Sequence, residues 1–183
     1  KAYKEAQKMG YNVKCIATTK DDNFDHVPVI TKDMVDQDAS YLHICFNNTI
    51  YGTKYGYIPD CGDVPLVADM SSCIISEPVD VTKFGVIYAG AQKNMAPAGL
   101  TLVIVREDLL GFCEEKAPTM LDWKVMAENG SMYNTPPCYA IYMAGLVYKW
   151  IEQLGGLEVM KEMNEKKADL LYDYLDSQDY YIA

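Results

Sequence analysis

Apolar positions come in short clusters along the first two thirds of the chain and in longer stretches after it. Residues 1–9 mix charged and apolar positions at a helical spacing, and Gly10 follows as a favoured closing residue. Residues 13–17, 40–45, 66–69, 84–89 and 101–105 are short apolar runs of strand length. Between them, residues 18–38 are polar and carry Pro28, which predicts a loop with one helical turn near Asp33. Residues 51–64, rich in Gly, Tyr and Pro, predict a meandering connection, and residues 79–83 a connecting segment. The last two strands are joined by a short loop and are expected to run antiparallel in an otherwise parallel sheet.

Residues 107–112 predict one helical turn. Residues 117–133 show no clear period, and Asn129-Gly130 marks a turn. Thr135 then reads as an N-cap and Pro136 as a first-turn residue of a long helix. Residues 141–154 are apolar nearly all round, which implies burial on more than one side, within the domain or against a second subunit. Gly155-Gly156 breaks that helix. Residues 157–175 predict another, with Met160, Met163, Leu170, Leu171 and Tyr174 as its apolar stripe.

Half of the 183 residues are hydrophobic, enough for one domain with a real core. The formal net charge of −10 argues against a nucleic-acid or anionic-membrane partner. No apolar run is long enough to span a bilayer, and no signal peptide opens the chain. The six cysteines are scattered and form no metal pattern with His26 and His43, so no metal site is expected. Cys15 and Cys45 lie in apolar runs and read as buried thiols, which suits a reducing, cytoplasmic setting.

The candidate chemistry centres on Lys93, which stands in a turn of small residues between two strand-like runs, with Gln92 before it and Asn94 after it. Small neighbours let a planar cofactor approach the backbone, and a partly desolvated amine is a nucleophile near neutral pH. An ordinary surface lysine would look the same. Asp69 adds to the picture, because an aspartate at the carboxyl end of a buried strand points into the crevice where open α/β sheets bind ligands. Such a carboxylate can keep a pyridine nitrogen protonated. It can equally cap the turn that follows.

Several segments carry a family resemblance in a common order: residues 43–50 (His-Ile-Cys-Phe-Asn-Asn-Thr-Ile), 68–72 (Ala-Asp-Met-Ser-Ser), 85–94 (Gly-Val-Ile-Tyr-Ala-Gly-Ala-Gln-Lys-Asn), 97–101 and 132–137. Together they closely resemble the phosphoserine aminotransferases, class-V enzymes dependent on pyridoxal phosphate (PLP). The resemblance implies an α/β/α three-layer sandwich with a mostly parallel sheet, the large domain of the fold-type-I PLP-dependent transferases. It implies that residues 1–177 are part of that domain and that residues 178–183 begin the connection to a small C-terminal domain. It implies that Lys93 holds PLP covalently and carries the proton, that Asp69 pairs with the ring nitrogen, that Thr49 orients the ring and that Gln92 reaches the cofactor phosphate. By the same resemblance, Asn134 and Thr135 reach the phosphate bound to the other subunit of a homodimer with a shared active site.

The implied reaction is transamination between phosphoserine and 2-oxoglutarate, or 3-phosphohydroxypyruvate and glutamate, in serine biosynthesis. Alternatives are another enzyme of the same fold, such as an alanine–glyoxylate aminotransferase or a cysteine desulfurase, or an incomplete structural fragment without turnover. Arginine count bears on this. Arg106 stands alone against fifteen lysines, where binding of substrate carboxylates and phosphate would call for several. Arg106 itself reads as a surface ion-pairing residue. The chain also opens inside a helix without methionine, so it is expected to be a piece of a longer protein, with the ring-stacking aromatic and the phosphate-binding helix start upstream. Neither Trp123 nor Trp150 matches the stacking position. Three residues depart from the family pattern: Ala96 where glycine is usual, and Cys73 and Glu77 where an aspartate and a basic residue are common.

Overall fold

The computed structural model describes residues 1–179. The part of the predicted interdomain connection that falls on residues 180–183 lies outside them. The chain begins with helix α1 (Ala2–Lys8). Gly10 adopts φ +87°, its N–H bonds to Gln7 O, and Tyr11 N–H bonds to Ala6 O. That pair of bonds is the glycine-closed helix end that the sequence predicts.

A four-stranded sheet follows. Strand β1 is Leu42–Cys45, β4 is Leu66–Asp69, β5 is Val86–Gly90 and β6 is Thr101–Val105. A short antiparallel ribbon, β2 (Asn47–Asn48) with β3 (Thr53–Lys54), interrupts the path from β1 to β4. β1 pairs with β4, and β4 with β5, in parallel; β5 pairs with β6 antiparallel, as expected from the short connection. Helices α2 (Trp123–Glu128), α3 (Cys138–Leu154) and α4 (Leu157–Asp176) complete the fold. This is the expected α/β architecture, a mostly parallel sheet with flanking helices.

Pairing register divides the sheet's two faces. Ile44, Ala68, Ile87 and Ala89 point to one side and are almost fully buried with Leu66, Met70 and Met95. Burying one such aliphatic side chain stabilises the fold by roughly 2 kcal/mol. Cys45, Asp69 and Tyr88 are register partners on the other side and stay partly accessible. Alternation along each strand thus makes the first face hydrocarbon alone, whereas the second mixes valines, Val86 among them buried, with the polar groups His43, Asp69 and Tyr88. Phe84 and Gly85 feed into β5 at a tight crossing, where a methyl group on Gly85 would lie 2.8 Å from Pro65 Cβ and 2.9 Å from Leu109 Cδ1.

Several expectations are corrected. Residues 13–17 form no strand, since no neighbour supplies a ladder for their backbone; Ile16 and Ala17 only pack against the core. Residues 123–128 form the short helix α2, capped by Asp122 Oδ1 accepting from Lys124 N–H, within a stretch that has no clear period. Helix α3 starts at Cys138 rather than near Thr135, with Pro137 at its N-cap and no side-chain cap. A residue before proline is pushed out of the helical region, so two successive prolines hold both Thr135 and Pro136 outside the helix. Of the two alternatives for α3, burial within this chain holds only for Ala140, Ala144 and Ile151; Tyr139, Tyr142 and Trp150 are at least half exposed. The stripe on α4 buries Met160 alone, while Leu170 is 77% exposed. Cys15 and Cys45 are exposed; the buried thiols are Cys61 and Cys73.

Burial pushes the Cys73 thiol up to about 11, with Lys54 opposing the shift. The native state therefore keeps this proton after an unfolded chain, near its ordinary value of 9.0, has lost it. Fewer protons on the unfolded state mean that stability falls as pH rises. The contribution, about 2–3 kcal/mol, is whole below pH 9 and disappears as pH passes through 11. Urea unfolding of the protein should show this decline, and Cys73→Ala should flatten it between pH 9 and 11. An unchanged slope in the variant would assign the decline to Tyr55 and Tyr88, which burial raises to about 12.

Candidate active site

Because β1, β4 and β5 are parallel, the loops leaving their carboxyl ends meet at one edge of the sheet. The loop after β1 enters the β2–β3 ribbon, whose tip carries Thr49. Asn48 Oδ1 accepts from Ile50 N–H and shapes that tip. The loop after β4 carries Ser71 and Ser72. The loop after β5 carries Lys93, folded by bonds from Met95 and Ala96 N–H to Ala91 O. Ala96 has no positive φ and takes its methyl group without backbone strain.

The three loops converge on the Lys93 amine. Nζ donates to Thr49 Oγ1 at 2.8 Å and to Ser72 Oγ at 2.9 Å, and the two hydroxyls bond to each other. Lys93 is exposed, so polar contacts rather than a dry pocket hold the amine. Asn94 Nδ2 donates to Ile74 O at 2.8 Å and ties the lysine loop to the turn after β4. Met95, fully buried behind the lysine, accepts from the Tyr148 hydroxyl of α3. Lys54 and Glu77 form a 2.6 Å ion pair that joins β3 to the loop after β4. The acidic residue at position 77 thus has a basic partner within the chain.

Asp69 ends β4 beside this cluster. Its Oδ1 accepts from Ser71 N–H at 2.9 Å and from Ser71 Oγ at 2.6 Å. Ser71 Oγ in turn accepts from Gly90 N–H at 3.0 Å, which couples the aspartate to the start of the lysine loop. Asp69 therefore caps its turn with one oxygen while standing at the strand end. On the same face, His43 Nε2 lies 3.0 Å from the Tyr88 hydroxyl, with the rings stacked at 6.0 Å. Burial holds His43 below the ordinary histidine value, against the pull of the Asp69 charge. Burial, then Asp69, raises Tyr88 to about 12. Both groups are accordingly neutral near pH 7 and face Asp69 as dipoles.

Not every predicted residue joins the cluster. Gln92 is exposed and folds over Gly90, where a Cβ would meet its Oε1 at 2.8 Å. Asn134 and Thr135 are exposed, precede the α3 N-cap, and make no hydrogen bond to Lys93, Thr49 or Ser72. Arg106 is committed to Asp108 through bonds of 2.6 and 2.9 Å. Ser71, Ser72 and Asn94 also take part, and their signal in the sequence is adjacency to Asp69 and Lys93. Among the described residues, no group of His, Cys, Asp and Glu could hold a metal ion, and no helix is long and apolar enough to cross a membrane.

A primary amine, a carboxylate and two hydroxyls at the ends of adjacent parallel strands suit a ligand with a reactive carbonyl and a basic ring nitrogen. The family model described as aminotransferase class-V matches residues 1–182. The chain belongs to the class-V aminotransferases. It is 56% identical over 182 residues to the phosphoserine aminotransferase of Listeria innocua, covering 99% of this chain and 49% of that protein. It is 51% identical over 182 residues to that of Herminiimonas arsenicoxydans, covering 100% and 50%. Among solved structures, a PLP-bound phosphoserine aminotransferase from Trichomonas vaginalis superposes with a TM-score of 0.91 at 36% identity, covering 100% of this chain and 54% of that one. The phosphoserine aminotransferase from Bacillus circulans subsp. alkalophilus gives 0.89 at 43% identity, covering 94% and 48%. The chain spans about half the length of the curated relatives it matches.

Proposed function

We propose that the protein containing this chain is a PLP-dependent phosphoserine aminotransferase, exchanging an amino group between phosphoserine and 2-oxoglutarate or, in reverse, glutamate and 3-phosphohydroxypyruvate. The observation that carries this reading is the Lys93 amine held by groups from two other strand-end loops, beside the strand-end Asp69, in a chain half identical to proteins of that name. Bound PLP supplies an electron-withdrawing ring that stabilises negative charge at the amino acid's α carbon. Lys93 would anchor it, and the Lys93 amine is the group placed to move the proton to and from that carbon. Asp69 holds a positive charge at the ring nitrogen, and Thr49 orients the ring through its hydroxyl. Gln92 serves the phosphate of the same site, and Asn134 and Thr135 that of a partner subunit, in a homodimer. The exposed apolar residues of α3 support that last assignment. Six free cysteines support a reducing, cytoplasmic location.

The test is an assay of the full-length protein with PLP. Glutamate-dependent transamination of 3-phosphohydroxypyruvate should far exceed any activity with alanine and glyoxylate. Preference for the latter pair would assign the chain to a different branch of the family.

A further inference from the structure

Thr49 has two claims on it. It bonds the Lys93 amine, and on the functional reading above it also orients the cofactor ring. Ser72 makes the same kind of bond to the amine from another loop, at nearly the same distance. Its Oγ lies on the turn that begins with Asp69, and that turn is fixed from several directions. Ser71 ties it to Asp69 and Gly90, Asn94 ties it to the lysine loop, and Asn164 of α4 donates to Ser76 O at 2.9 Å. A hydroxyl on so well anchored a turn is a fixed point. It can accept from an ammonium or donate to a neutral amine, so it follows the lysine through both protonation states.

We propose that Ser72 is a positioning residue for Lys93, holding the amine when the Thr49 hydroxyl is engaged by the ligand. This rests on the assignment of Lys93 as the anchoring lysine. Two strand-end loops then share the work: the β2–β3 tip serves the ring and the turn after β4 serves the amine. Ser72 affects the step in which the freed amine carries a proton, and has little effect on substrate binding. A mispositioned amine lowers kcat and leaves KM nearly unchanged.

The first readout needs no cofactor. In the full-length protein without PLP, trace acetic anhydride labelling with peptide mass mapping reports the reactivity of each lysine. Ser72→Ala and Thr49→Ala should each make Lys93 roughly three- to tenfold more reactive relative to the remaining lysines, because each removes a bond from its amine. Ser72→Thr, which keeps the hydroxyl, should restore the wild-type ratio. The second readout uses the loaded enzyme. Ser72→Ala should lower kcat about tenfold at near-constant KM and raise the kinetic isotope effect on the α hydrogen. Thr49→Ala should shift the cofactor's absorption spectrum, whereas Ser72→Ala should not. Unchanged Lys93 labelling in a folded Ser72→Ala protein would overturn the proposal, as would a folded Ser72→Thr protein that labels like the alanine variant. Absence of any Lys93-bound cofactor in the wild type would instead overturn the functional reading, leaving the labelling result to decide the Ser72 contact alone.

Discussion

Lys93→Ala in the full-length protein should abolish covalent capture of PLP and lower transamination by roughly four orders of magnitude or more. Borohydride reduction after PLP addition, followed by peptide mapping, should place the label on Lys93 alone in the wild type and nowhere in the variant. The expectation is large because one amine is asked to do two jobs, anchoring and proton transfer. That amine is held by the Thr49 and Ser72 hydroxyls. Lys93→Arg should fail as completely, since a guanidinium keeps the charge but cannot serve as the nucleophile. Folding should be little affected, because the side chain is exposed and packs no core. A specific label on another lysine would overturn the assignment.

Asp69→Asn should cost roughly 100- to 1000-fold in kcat/KM. A partly buried charge-assisted bond carries about 3–4 kcal/mol, and each 1.36 kcal/mol is tenfold in rate. Asparagine is the informative substitution because its carbonyl oxygen can still accept from Ser71 N–H and Oγ, as Asp69 Oδ1 does now. The turn after β4 is then preserved while the negative charge is lost. Unchanged circular dichroism with a collapsed rate would place the effect in electrostatics. Asp69→Ala removes the cap as well and should add a stability loss of about 1 kcal/mol in urea unfolding. An asparagine variant within threefold of wild type would mean that Asp69 shapes the turn and little else.

Much of the scaffold can be read from the residues, and the reason is local. The run ending at Asp69 and the run 101–105 match β4 and β6 because strand length, β-branched content and flanking polar residues agree. Gly10 closes α1 and Gly155-Gly156 separates α3 from α4 because positive φ favours glycine. Misreadings arise where a partner decides the outcome. Residues 13–17 have strand composition but no ladder neighbour, and the β2–β3 ribbon is two residues wide on each side, too short for a periodic signal. The second proline at residue 137 outweighs the capping preference of Thr135. At the candidate site, Lys93, Asp69 and Thr49 are recognisable by position and residue type. Ser72 carries only the weak signal of lying three residues after Asp69, and its bond to Lys93, which spans 21 residues of sequence, forms only when β4 and β5 are side by side.

That parallel pairing has a consequence for assembly. Antiparallel β5 and β6 can close like a hairpin, early and at small entropic cost, whereas joining β1 to β4 and β4 to β5 requires long intervening segments to be brought back on themselves. A growing chain acquires Thr49 and Ser72 before the strand that delivers Lys93, and the amine that both hydroxyls hold is missing until then. The cluster is therefore a product of the slow, non-local part of folding, and on the proposed reading of Lys93 its capture of a carbonyl ligand would time completion of the parallel sheet rather than collapse of the chain.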